Sequence, residues 1–186
     1  MIQNVIPKYK EDKAIAAVSL LLRHSKGQCD KYWLNKVMYY IERESLIQTG
    51  QPMFFDKLYS LKYGPIVSAI KDSIEQTEYP IDQTWSEFIR VSGKKVRLVK
   101  EVDISSLSEF EEEIIVDAYN KFKGWTFKRL KEFFHSLPEN KDTNSREPID
   151  YEEILRSVKA SDEQIKEAIS EIKYLALLED TLSCAK

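Results

Sequence analysis

Two histidines, two cysteines and one run of three glutamates are the residues whose types and spacing could do chemistry in this chain. His24 lies near Cys29 in a spacing that matches no zinc-ligand pattern, and His135 stands alone, so no metal site is expected. His135 precedes Ser136, which raises the pairing of a base with a nucleophile. Neighbours on a helix point about 100° apart, however, and no third group is identifiable to orient the imidazole. A helix-end role for His135 is the preferred reading. Glu111-Glu112-Glu113 could supply paired carboxylates for acid–base work. Acids in the first turn of a helix also complement its positive end, and that explanation is sufficient. Glycine-rich phosphate cradles, the nucleophile elbow and the H-E-x-x-H zinc motif all lack their signatures, and five glycines leave little from which to build a phosphate loop. No catalytic residue, cofactor or metal is therefore expected, and nothing in the chain argues for an enzyme.

Recognition is the chemistry that remains. Arg90, Lys94, Lys95, Arg97 and Lys100 fall between positions 88 and 100 with no acid among them, whereas positions 147–180 hold ten acids against four bases. A solvated hairpin face accounts for the basic cluster; contact of Lys94, Lys95 and Arg97 with DNA phosphates is the alternative. Eight aromatic residues lie between Tyr32 and Tyr63. Core packing explains some of them, and Tyr and Trp also carry much of the energy of protein interfaces. Tyr39 or Tyr40, lying beyond the apolar stripe of their helix, would serve an interface if exposed.

The elements that must position these groups follow from apolar spacing. Ala14, Ile15, Val18, Leu21 and Leu22 form one helical stripe, and Leu34, Val37, Met38 and Ile41 another. The polar break at 24–28 carries Gly27, suited to a helix C-cap, and Asp30 can cap the next start; Gly50 and Pro52 close that helix. After an irregular aromatic stretch over 52–62, Gly64-Pro65 predicts a third helix over 65–76 with Pro65 in its first turn. The period changes after Pro80. Residues 88–91 and 96–99 alternate apolar and basic about Gly93, which predicts a β-hairpin. Capping boxes at Ser108/Glu111, Asp150/Glu153 and Ser161/Gln164 open three later helices, and Thr126 opens a shorter one that stops at Pro138. The polar segment 139–148 reads as a flexible loop.

The expected fold is mainly α within the α+β class: one domain over 1–186, with an N-terminal helical unit over about 10–80, one hairpin over about 88–100 and a C-terminal helical unit over about 106–180. Three helices followed by a basic hairpin is the element order of a winged helix. The third helix argues against DNA reading, since its only base is Lys71, set against Asp72 and Glu75. Across 186 residues, 28 Lys and Arg nearly balance 31 Asp and Glu, for a net charge of −3. The overall field therefore holds the chain to neither nucleic acid nor an anionic membrane. The longest dense apolar stretch, 14–22, is about half of what a bilayer requires. No leader-type apolar segment opens the chain, so a cytoplasmic protein is expected, with Cys29 and Cys184 as unpaired thiols.

The run Leu34-Asn35-Lys36-Val37-Met38-Tyr39-Tyr40, then Gly50-Gln51-Pro52, then Leu58-Tyr59-Ser60-Leu61-Lys62-Tyr63-Gly64-Pro65-Ile66 resembles the Panacea (SocA-like) antitoxin domain. Phe134 to Glu139, Pro148 to Leu155, and Ser161 with Gln164-Ile165 look like that family's second half. Val37-Met38 stands for the usual leucine pair, Tyr40-Ile41 for an aromatic-small pair, and Asn140 for a tryptophan; most of these are volume-tolerant changes. The resemblance implies a largely helical, non-enzymatic antitoxin whose partner is a cognate toxin protein bound directly. Some relatives look like adaptors that hand the toxin to a protease, which makes a protease a further implied partner. Within the motif, Lys36, Tyr39, Gly64 and Pro65 are read as holding the second helix against the glycine–proline turn. Tyr40, Tyr59, Lys62 and Tyr63 are the candidate partner-binding residues, with Lys94, Lys95 and Arg97 as candidates for nucleic acid should the chain instead be a winged-helix regulator.

Overall fold

The computed structural model describes residues 6–76 and 83–184. The break expected at Pro80 and the side chain of Cys184 lie outside the described residues. Helix α1 (Glu11–His24) is buried from Ala14 to Leu22 on every side rather than along one stripe, so it runs through the core instead of along its edge. Gly27, at a φ of +83°, turns the chain by donating its N–H to Leu22 O at 2.8 Å. The break then becomes a short strand, β1 (Gln28–Asp30). Helix α2 (Lys31–Thr49) starts where Asp30 accepts hydrogen bonds from Tyr32 N and Trp33 N, and ends at left-handed Gly50.

Two strands occupy the aromatic stretch and the glycine–proline turn: β2 (Leu58–Leu61) and β3 (Gly64–Val67), joined through Lys62 and Tyr63. The expectation that Pro65 opens a helix is corrected here. Pro65 sits in β3 opposite Ser60, and β3 is a sheet edge, where the missing N–H breaks no ladder. Helix α3 (Ser68–Gln76) begins three residues later, capped across the fold by Asp56, whose Oδ2 accepts from Ala69 N at 2.7 Å and Ile70 N at 3.2 Å. Helix α4 (Gln83–Phe88) leads into the expected hairpin, β4 (Ile89–Ser92) and β5 (Lys95–Leu98). Strand β5 also pairs with β1, giving a sheet ordered β1-β5-β4.

Helix α5 (Glu109–Phe122) begins at the Ser108/Glu111 capping box, and α6 (Phe127–His135) at Thr126. The polar segment expected to be a loop ends in strand β6 (Glu147–Ile149), which pairs with β2 so that Tyr59 faces Pro148. The second sheet therefore runs β3-β2-β6. Helices α7 (Tyr151–Ser157) and α8 (Asp162–Cys184) complete the chain. At the start of α8, Ser161 and Gln164 exchange backbone-to-side-chain bonds as expected. The fold is α+β, with eight helices and two small antiparallel sheets among the described residues. One apolar cluster runs from Ala14 in α1 to Ile172 in α8. No described helix is long and apolar enough to cross a membrane.

Candidate partner-binding surface

Helix α2 carries Lys36, Tyr39, Glu42 and Arg43 into the interior, where they meet three distant parts of the chain. Lys36 is 2% exposed; its Nζ donates to Pro65 O at 2.7 Å and lies 5.3 Å from the Tyr32 ring centre. Burial pulls this amine down from its ordinary range to about 7. The Tyr39 hydroxyl donates to Glu139 Oε1 at 3.0 Å, and Arg43 Nε donates to the same oxygen at 2.6 Å. Glu42 accepts from Phe54 N at 2.7 Å and Asp56 N at 3.2 Å. Burial pushes its carboxyl up to about 8, although those N–H groups pull the other way. The Tyr151 hydroxyl closes this cluster by donating to Asp56 O at 2.8 Å. Helix α2 is thereby tied to β3, to the α6–β6 segment, to the stretch before β2 and to α7.

Above Lys36 the chain turns through Lys62 and Tyr63. Gly64, at a φ of +91°, lets the turn close: a Cβ there would lie 3.3 Å from Phe134 Cβ and 3.4 Å from Lys36 Nζ. The Tyr32 hydroxyl donates to Tyr63 O at 3.0 Å, so the turn is held from below at both Tyr63 and Pro65. Over this clamp stands an aromatic surface. Tyr63 is 49% exposed and Phe127, at the start of α6, is 54% exposed. The Phe127 ring centre is 4.6 Å from that of Tyr32 and 6.2 Å from that of Tyr63. The ammonium groups of Lys62 and Lys131 lie 5.9 and 5.7 Å from the Tyr63 ring centre. A cavity of about 420 Å³ opens beside them, lined by Tyr32, Lys36, Tyr63, Gly64, Lys71 and Asn144 among others. An exposed group of tilted and edge-on aromatic rings with a basic rim at a clamped turn has the make-up of a protein-binding anchor.

Of the sequence-derived candidates, Lys62 and Tyr63 come together at this turn. Tyr59 lies back along β2 with the Arg146 guanidinium 3.9 Å from its ring centre. Tyr40 is half-buried and faces α5: Lys121 Nζ donates to its hydroxyl at 2.6 Å, and its ring packs 4.9 Å from that of Phe122. Lys36 and Pro65 meet as the motif suggested, whereas Tyr39 reaches Glu139 rather than the turn. Lys94, Lys95 and Arg97 are all exposed on the β4–β5 hairpin.

The residues first weighed for chemistry are engaged in the fold. Ser136 Oγ donates to Phe133 O at 2.8 Å. The His135 ring packs under Gly64, where burial and then Lys131 hold its imidazole below the usual range. Glu111 caps α5 and pairs with Lys13 at 2.6 Å. The half-buried Cys29 thiol is pushed up to about 12 by burial. Among the described residues, no group of three or more His, Cys, Asp or Glu side chains is placed to hold a metal.

Sequence reading passed over Phe127 as a surface residue and Glu42, Arg43, Asp56 and Glu139 as partners. The available signal lay in α2: Lys36, Glu42 and Arg43 interrupt an apolar helix without an opposite charge three or four residues away. Charges so placed need partners from elsewhere in the chain.

Residues 34–141, more than half of the chain, match the family model described as antitoxin SocA-like, Panacea domain. That segment spans most of α2, both strands of the clamped turn and α6. No curated protein and no solved structure matches the chain.

Proposed function

Because the chain belongs to the SocA-like antitoxin family with its Panacea domain, we propose that it is an antitoxin that neutralises a cognate toxin by direct protein–protein binding. The observation that carries this reading is the Tyr63–Phe127 surface, which is exposed and aromatic and sits at a turn held by hydrogen bonds from Tyr32 and the buried Lys36. An inhibitor needs shape and anchors rather than reacting groups, so the protein acts by binding and not by turnover. It works in the cytoplasm, beside the protein it silences. Delivery of the bound toxin to a protease is a compatible second stage and predicts a shorter toxin lifetime when the antitoxin is present.

The test is co-expression with the product of the adjacent reading frame, following growth and recovery of a complex. Wild type restores growth and co-purifies with the neighbour, while Tyr63→Ala/Phe127→Ala folds normally and loses at least about tenfold in affinity. A neighbour that is harmless alone, or that never binds, overturns the reading.

A second reading, DNA binding, is favoured by the exposed Lys94, Lys95 and Arg97 on the β1-β5-β4 sheet. Against it, α3 exposes Asp72 and Glu75, and Lys71 pairs with Glu75 at 2.6 Å. Charge reversal of the three hairpin bases abolishes salt-sensitive DNA affinity if this reading holds and changes no DNA binding if it does not.

A further inference from the structure

Helix α8 presents two kinds of outward surface along its 23 residues. Its packed side is Ile165, Ala168, Ile172 and Ala176, all buried. On the other side, the first half shows exposed Glu163, Glu167 and Glu171, none of which makes an ion pair among the described residues. Past Glu171 the same side becomes apolar: Tyr174, Leu177, Leu178 and Leu182 are 60%, 59%, 39% and 67% exposed. Their spacing of three, four and eight residues from Tyr174 places them on one helical stripe. Lys10 and Lys8 bind Glu179 from the packed side, so this half of the helix is fastened to the body while its stripe faces outward. Adjoining uncovered leucines of this size mark a contact surface.

We infer that the outward face of α8 docks an amphipathic helix of a partner protein whose contact side is apolar at one end and basic at the other. Apolar anchors three and four residues apart are how a helix is read by another helix. The exposed Glu163, Glu167 and Glu171 continue the stripe and fix the sign of the partner's far end. The same acids disfavour other occupants. Two copies of α8 laid parallel would set acid on acid, and laid antiparallel along their full length would set acids over leucines. An anionic lipid surface would repel the acidic half. This face is separate from the Tyr63 turn, and the inference does not depend on the antitoxin reading.

The probe is a labelled synthetic helix of about 20 residues, roughly 30 Å long, with leucines on one half of a stripe and lysines on the other. Fluorescence anisotropy with the full chain is expected to show saturable binding that weakens at high salt. Leu177→Ser/Leu182→Ser and Glu167→Lys/Glu171→Lys each lower the affinity about tenfold or more. A control peptide with glutamates replacing the lysines does not bind. All four positions are exposed, and circular dichroism checks that the variants keep their helix content. Equal binding by the serine variant, or equal binding of the glutamate peptide, overturns the proposal. So does a dimer in sedimentation that the serine variant splits, or leucine-dependent capture by anionic vesicles.

Discussion

The buried amine of Lys36 supports a quantitative expectation. In the folded chain it is held near 7, against 10.5 for an ordinary lysine, because its surroundings solvate the charge poorly. Between those two values the unfolded chain binds the extra proton and the folded chain does not, so stability rises with pH across that window and is level below it. Each pH unit is worth about 1.36 kcal/mol, which makes the full interval roughly 5 kcal/mol. Lys36→Met keeps the stem and removes the charge, but it also removes the donor to Pro65 O, worth about 1 kcal/mol. The variant should therefore be more stable than wild type below neutrality, by about 4 kcal/mol, and slightly less stable near the upper end of the window. Urea unfolding of both proteins across this range measures it, and taking their difference cancels the tyrosines and other groups that titrate alongside. A difference that stays constant with pH would show that Lys36 keeps ordinary basicity inside the fold and refute the reasoning.

Three further outcomes are expected. Gly64→Ala should lose more stability than Gly93→Ala, because both glycines have positive φ but only the Gly64 Cβ meets neighbours at 3.3–3.4 Å; thermal unfolding should rank them, with Gly93→Ala costing about 1 kcal/mol. Arg43→Met leaves Glu139 buried without its cation and should cost about 3–5 kcal/mol, while Arg43→Met/Glu139→Leu should cost clearly less than the two single changes together in a double-mutant cycle. Asp56→Ala removes the acceptor for Lys57, Ala69 and Ile70 N–H groups and should cost about 1–3 kcal/mol, with faster amide exchange at the start of α3.

Helices were legible where the sequence states both a period and a cap. Asp30, Ser108 with Glu111, and Ser161 with Gln164 all do in the fold what their spacing announces. The β4–β5 hairpin was legible for a related reason: Ile89, Val91 and Val96 point inward while Arg90, Lys95 and Arg97 point out, an alternation only a half-buried strand produces. Strand β3 has no such mark, because all four of its residues are buried. Pro65 was ambiguous in itself, since a helix start and a sheet edge both tolerate its missing N–H. What decides between them is Ser60 across the hairpin and Asp56 at the start of α3, and neither contact is local to the proline. Strand β6 was hidden in a polar segment and exists through its pairing with β2, nearly ninety positions earlier in the chain. Of the candidate surface, Lys62 and Tyr63 could be named from their motif. Phe127 could not, because its exposure depends on how α6 lies against the turn.

The polar interior of α2 explains how a surface turn can be held rigid enough to serve as an anchor. An apolar contact between α2 and its neighbours would tolerate sliding, since hydrophobic burial is non-directional. Lys36, Tyr39, Glu42 and Arg43 do not tolerate it. A shift of one turn would leave Arg43 and Glu139 as separated buried charges and Glu42 facing no N–H group, each a penalty of several kcal/mol. Their partners sit at Pro65, Glu139, Phe54 and Asp56, so one helix sets the relative positions of β3, the α6–β6 segment and the stretch before β2. Tyr63 leads directly into β3, and Phe127 opens α6, the helix that runs into the α6–β6 segment. Their mutual placement is settled before any partner arrives, and ordering side chains on binding is otherwise among the larger penalties an interface faces. Loosening the interior at Arg43 should then weaken partner binding even though Arg43 lies beneath the surface. Trimming Tyr63 should weaken binding without loosening the interior, and that asymmetry separates a scaffold residue from an anchor.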